Sequence, residues 1–156
     1  METVPVKKRG FAVVSSYEGK HITLPWRKTA ASAGYDLEAA EKTVIRPGAM
    51  AMVPTGLKAY MQPDEVLSIH IRSSLAVKRS LVLMNSVGVV DADYYNNEDN
   101  EGHIFIALWN RGHEDVVIEQ GERIAQGIFQ KYLTADDDEA GHGDVRRGGF
   151  GSTGRS

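Results

Sequence analysis

Apolar residues recur along the chain in short clusters rather than in long helical stripes. Runs rich in β-branched and aromatic residues fall at 11–15, 43–45, 51–53, 66–71, 81–84, 104–108, 116–118 and 124–129. Between them stand turn signals such as Arg46-Pro47-Gly48, Gln62-Pro63-Asp64, Asn110-Arg111-Gly112 and Gln120-Gly121-Glu122. The run Val66-Leu67-Ser68-Ile69-His70-Ile71 alternates in part, as a strand does with one face in a core. Many short strands at near-regular spacing predict an all-β sandwich or jelly roll. One helix of one or two turns is predicted over 74–79, with Ser73 or Ser74 as its N-cap, which sets Arg72 and Ser73 at a helix start.

After Leu133 the pattern changes. Asp136-Asp137-Asp138-Glu139 is an acidic run, and six glycines fall between Gly141 and Gly154, so no packed core comes from this end. The division is a β core over 1–133 and a Gly-rich arm over 134–156. Two readings of the arm compete: a disordered end, and a segment that orders over a ligand, since glycine lets backbone N–H groups approach an anion closely. Phe150 favours the second, because an aromatic ring amid glycines gains something only by docking.

With 156 residues and 42% hydrophobic content, the chain has the size of one domain and enough apolar side chain for a core. A formal charge of −3 argues against wrapping a nucleic-acid backbone. The absence of cysteine removes disulfides, thiolate nucleophiles and cysteine zinc sites together. Lys7, Lys8 and Arg9 precede no long apolar run, so neither a signal peptide nor a membrane span is expected, and a soluble cytoplasmic protein is.

Three carboxylates sit near expected strand ends: Asp36, Asp91 and Asp93. Asp91 follows Val87-Gly88-Val89-Val90, and a carboxylate held against an apolar strand is partly desolvated, which suits it as a general base for water. The competing reading for any one of them is a turn aspartate bonded to its own backbone, and Asp93 fits that reading best. Arg72-Ser73-Ser74 joins a five-donor cation to two hydroxyls, and Arg146-Arg147 lies beside a Gly/Ser/Thr run; each suits phosphate oxygens, and each also reads as a solvated or capping segment. The five histidines show no metal-ligand spacing and read as surface or core residues. Trp26 and Trp109 read as core or interface packing. No phosphate-binding glycine loop or nucleophile elbow is present, which leaves water activation on a bound anion, or no chemistry.

Five segments taken in order carry more than any one of them: Ala33-Gly34-Tyr35-Asp36-Leu37-Glu38-Ala39-Ala40; Arg72-Ser73-Ser74-Leu75-Ala76; Asn85 through Tyr94; Gly121-Glu122-Arg123-Ile124-Ala125-Gln126; and Arg146-Arg147-Gly148-Gly149-Phe150-Gly151-Ser152-Thr153-Gly154. Together they resemble the five ordered motifs of the trimeric dUTPase family. The resemblance implies a jelly-roll-like distorted β-barrel of the β-clip type with one short helix, assembled as a homotrimer whose active sites are shared between subunits. It implies hydrolysis of dUTP to dUMP and pyrophosphate, with Asp91 activating the water that attacks the α-phosphorus. Tyr94 would pack on the deoxyribose, and Asn85 with the extended backbone through Val90 would read uracil. Arg72, Ser73, Ser74 and Gln126 would hold phosphates, and Asp36 would reach a triphosphate-bound Mg2+ through water. Phe150 would stack over the base as the arm closes, with Arg146 or Arg147 and Gly151, Ser152 and Thr153 covering the γ-phosphate; Arg146 is slightly favoured.

The chain departs from the family pattern in three places. Ser74 stands where glycine is usual, 95–102 form an enlarged hairpin after Tyr94, and the spacing between the arm's arginines and its glycines is short. Two other functions compete with this one. A dCTP deaminase of the same fold would need a base-directed glutamate and not this arm. A nucleotide-sensing regulatory protein would bind dUTP and contact a protein partner through the 95–102 loop.

Overall fold

The computed structural model describes residues 6–139. Among them are eleven strands: β1 (Gly10–Val13), β2 (Tyr35–Glu38), β3 (Thr43–Ile45), β4 (Met50–Pro54), β5 (Leu57–Tyr60), β6 (Glu65–Ile71), β7 (Leu81–Leu83), β8 (Gly88–Asp91), β9 (Phe105–Asn110), β10 (Val116–Ile118) and β11 (Arg123–Lys131). One helix, α1, spans Ser73–Arg79, and two 3-10 turns occupy Ser15–Tyr17 and Ala92–Tyr94. All pairings are antiparallel. They form a four-stranded sheet in the order β2-β11-β6-β8, a three-stranded sheet β4-β9-β7, and two ribbons, β1-β5 and β10-β3. Neighbours in each sheet are far apart in sequence, the mark of a jelly-roll wrap, and the sheets enclose one core without closing into a continuous ladder.

Alternation explains the layering. In β9, Ile106, Leu108 and Asn110 point inward and are at most 1% exposed, while Trp109 points out. Leu37, Ile45, Val53, Leu57, Leu67, Leu81, Ile118 and Ile124 meet them from the other strands in a single cluster. Asn110 is the polar exception, and it is fully satisfied: its Nδ2 donates to the Ile45 and Glu114 carbonyls at 2.9 and 2.8 Å, and its Oδ1 accepts from the Gly112 N–H at 2.9 Å. It thereby pins β3 and the turn after β9 to the core.

Each of the eight apolar runs becomes a strand, with bounds shifted by a residue or two at most of the ends. β2, β5 and β8 are not among those runs. Each is four residues long; β2 and β5 carry charged side chains and β8 a glycine, and they are held as strands by their partners rather than by their own composition. Asp36 lies near a strand end as expected, one residue into β2.

The helix starts one residue early, and the expected serine cap is corrected. Arg72 holds the cap position with extended backbone and no side-chain cap bond. The reason is that Arg72 N–H still reaches the Ile124 carbonyl, at 3.3 Å, so strand pairing carries one residue past Ile71 and both serines fall inside the first turn. Of the two readings of the tryptophans, core or interface, the core one is corrected: Trp26 and Trp109 are 61% and 38% exposed in the single chain. Trp109 lies on the outer face of its sheet, directly opposite Met50 and Val82. Of the histidines, His21 and His113 are exposed, His70 is half-buried and His103 is buried.

Candidate active site

The expected site residues gather in two groups. The first lies around β8. A cavity of about 320 Å³ opens there, lined by Asn85, Val90, Asp91, Tyr94, Ile104 and Phe105 among others. Its walls are mostly apolar with a few polar groups at the edge, the ordinary make-up of a small-molecule site. Asn85 stands exposed at the turn entering β8, where Ser86 takes a left-handed φ of 63°. Asp91 ends β8 half-buried, and the 3-10 turn that follows brings the Tyr94 ring back over the cavity. Asp93 is exposed in that turn, as expected of a turn aspartate.

The second group lies across β2, β11 and the start of α1. Gln126 faces Asp36 on one side and His70 on the other. The Asp36 carboxylate sits between two guanidiniums, with Arg123 Nη1 at 3.5 Å and Arg72 Nε at 4.0 Å. Arg123 also faces Glu38, so the two guanidiniums are matched by two carboxylates in the isolated chain, and Ser73 and Ser74 are exposed beside them. Gly34 leaves room for the Gln126 side chain: a Cβ there would displace the Gln126 Oε1 and stand 3.1 Å from the Gln126 Cβ. Burial pushes the neighbouring Glu38 carboxyl above the usual carboxylate range, against an opposing pull from Arg123.

A single chain does not bring the two groups together. Asp91 pairs with Val66 at one end of β6, and Arg72 follows Ile71 at the other. Six residues of strand separate those levels, about 20 Å. Arg146, Arg147, Phe150, Gly151, Ser152 and Thr153 lie outside the described residues. Arg123 belongs to the picture although sequence reading did not single it out. It lies within the fourth motif, but its role depends on a register shift in β11 that sets it opposite Glu38 on β2, next to Asp36.

The enlarged hairpin is a folded loop, not an open one. Tyr95 packs edge-on against Tyr60 and under Lys58 Nζ. Lys58 Nζ also donates to Asn96 Oδ1 at 2.6 Å and to Glu101 Oε2 at 2.7 Å, while the Ser15 hydroxyl and N–H donate to the two oxygens of Glu101. The bond from Lys58, then those from Ser15, hold the Glu101 carboxyl down at about 2, below its ordinary 4.5. Glu101 therefore stabilises the fold fully above about pH 4.5, and its contribution is lost as pH falls through about 2. Glu101→Gln is expected to flatten the acid limb of the stability curve over that window, measured by urea unfolding at stepped pH. Parallel curves for the variant and the wild type would refute the anchoring.

The family model for dUTPase matches residues 20–154. A deoxyuridine 5'-triphosphate nucleotidohydrolase of Lactococcus lactis is 56% identical over 149 residues, covering 96% of this chain and 99% of that protein. The crystal structure of a Streptococcus mutans dUTPase superposes with a TM-score of 0.78 at 53% identity, over 81% of this chain and 98% of that one. A mutant dUTPase from Staphylococcus aureus phage phi11, described with a structural Mg(II) ion, shares the fold at a TM-score of 0.72 and 19% identity, over 87% of this chain and 98% of that one. With the motif order, the apolar cavity beside Asp91 and these matches in agreement, the chain belongs to the dUTPase family.

Proposed function

We propose that this protein hydrolyses dUTP to dUMP and pyrophosphate. The observation that carries the reading is Asp91 at the rim of an apolar cavity walled by Tyr94 and entered past Asn85, in a chain 56% identical to a named dUTP nucleotidohydrolase. The Asp91 carboxylate takes a proton from water as the water oxygen attacks the α-phosphorus. The bond from that phosphorus to the bridging oxygen breaks in line, and pyrophosphate leaves with its electron pair. Asn85 and the backbone up to Val90 read the uracil edge, and the Tyr94 ring leaves no room for a ribose 2′-hydroxyl. Arg72, Ser73, Ser74 and Gln126 receive the phosphates, joined by Arg146 or Arg147. The arm over 134–156 brings Phe150 onto the base and Gly151, Ser152 and Thr153 onto the γ-phosphate, which excludes bulk water.

The donor set fits a magnesium ion carried in on the triphosphate. Among the described residues no three histidine, aspartate or glutamate side chains come together as a metal cage. Asp36 offers one carboxylate at the phosphate-binding surface, enough for contact through water with a hard cation that keeps its hydration shell. When bound, the ion supplies charge neutralisation and alignment of the triphosphate.

The separation of Asp91 from Arg72 supports a homotrimer in which each site takes the β8 cavity from one subunit and the Arg72–Gln126 surface from the next. The outer face of β4-β9-β7 supports it too: Met50, Met52, Met84 and Trp109 are exposed there and adjacent, an apolar strip of the kind subunits cover. A cytoplasmic site of action accords with a nucleotide substrate, and no helix of the described residues is long and apolar enough to cross a membrane. A second role for the 95–102 loop, contact with a protein partner, is supported only by the exposed Asn96, Glu98 and Asp99.

The direct test is pyrophosphate release from dUTP, dCTP, dTTP and UTP in magnesium by the purified protein. Release from dUTP alone is the expected result. Turnover of dCTP, or none of dUTP, would overturn the reading.

A further inference from the structure

Two asparagines in the loop after Tyr94 direct their side chains back onto that tyrosine. The Asn97 side-chain oxygen accepts from the Asp99 and Asn100 N–H groups at 3.0 and 3.1 Å, which turns its Nδ2 toward the Tyr94 carbonyl, 2.7 Å away, and toward Asn100 Oδ1, 2.8 Å away. Asn100 Oδ1 also accepts from the Gly102 N–H at 3.1 Å, which turns its Nδ2 onto the Tyr94 hydroxyl at 2.9 Å. An amide nitrogen only donates, so the Tyr94 oxygen must accept there and send its own proton to the His103 carbonyl at 2.6 Å. Both amide orientations and the hydroxyl orientation follow from the backbone donors. Tyr94 is thereby gripped at its carbonyl and at the far end of its ring.

Two further features fix this grip in space. Gly102 has a φ of 88°, and a Cβ there would meet backbone atoms of Tyr94, Tyr95 and Asn96 at 2.8 to 3.1 Å, so only glycine lets the loop close this tightly over Tyr94. The His103 ring is buried, accepts the Gly56 N–H at its Nε2 at 2.9 Å, and packs against Tyr17 and Phe105, so the carbonyl that receives the Tyr94 proton does not move freely. The Lys58–Glu101–Ser15 anchor holds the loop to the body without using Tyr94. The asparagine bonds to Tyr94 are therefore surplus to what keeps the loop attached.

We propose that Asn97 and Asn100 are positioning residues that hold the Tyr94 ring against the sugar and set the preference for a 2′-deoxy over a ribo substrate. This rests on the reading of Tyr94 as the sugar wall. Burial fixes where the Tyr94 ring lies and the bonds at its hydroxyl fix its tilt; without Asn100 the hydroxyl keeps only the His103 carbonyl, and the ring can tilt enough to admit a 2′-hydroxyl.

The test compares kcat and KM for dUTP and UTP in the full-length wild type, Asn100→Ala, Tyr94→Phe and the double variant. Each single change is expected to lower the dUTP-to-UTP ratio of kcat/KM about tenfold, with KM for dUTP raised and kcat nearly held. The double variant should lose no more than Tyr94→Phe alone, because that change already removes the bond Asn100 makes to the hydroxyl. Asn97→Asp keeps the acceptor for the Asp99 and Asn100 N–H groups but loses the donor to the Tyr94 carbonyl, which cannot donate in return, and it decides the matter if the alanine variant does not fold. Ratios equal to wild type in folded variants, or losses that multiply in the double, would overturn the proposal. A wild type that releases no pyrophosphate from dUTP would overturn the dUTP reading itself, and is seen before any variant is compared.

Discussion

Asp91→Asn is expected to leave the protein folded and able to bind dUTP while reducing kcat by about 10²- to 10⁴-fold, the usual contribution of a positioned general base. Asparagine keeps the size of the side chain and one acceptor oxygen, so the end of β8 and the cavity beside it should persist. What it lacks is a carboxylate to accept the proton of the attacking water. A KM for dUTP close to wild type together with a collapsed kcat would place the loss in the transition state rather than in binding. Retention of kcat within a few-fold would remove Asp91 from the base role and direct attention to the phosphate-binding surface.

The second large effect concerns two inactive variants that recover when mixed. Arg72→Ala takes a cation from the phosphate surface beside Asp36, and Asp91→Asn takes the base from the β8 cavity; each alone should be nearly inactive. If a site combines Asp91 of one subunit with Arg72 of another, co-refolding equal amounts should restore roughly a quarter of wild-type activity, the share of interfaces that draw both intact residues by random assortment in a closed oligomer. A site contained within one chain would recover nothing, because every chain carries one lesion. The 20 Å or so between the levels of these residues on β6 makes recovery the expected outcome.

Much of this is legible in residue order alone. Strand positions follow from local alternation and turn residues, so 43–45 and 116–118 are placed to the residue. The four-residue strands are harder, since β2 keeps only Leu37 fully inside and owes its conformation to β11 beside it. The start of α1 falls elsewhere than expected because strand pairing at Arg72 outweighs the preference of serine for a cap. The loop at 95–102 is expected as an enlarged rim, but not that its asparagines fold back on Tyr94: composition shows that amides are present, not where they point.

The sequence by itself determined the chemistry on offer: a carboxylate after an apolar strand, an arginine with two serines, an asparagine and a tyrosine on either side of that carboxylate, and five motifs in family order. These are local facts, written in residue type and spacing. Only the tertiary structure decided which pieces meet. It set Arg123 and Arg72 around Asp36, tied Glu101 to Lys58 across forty-three residues, and left Asp91 and Arg72 level with opposite ends of β6. Sheet pairing joins segments far apart in the chain, and its register is fixed by burial on both partners at once, so no reading of one segment contains it.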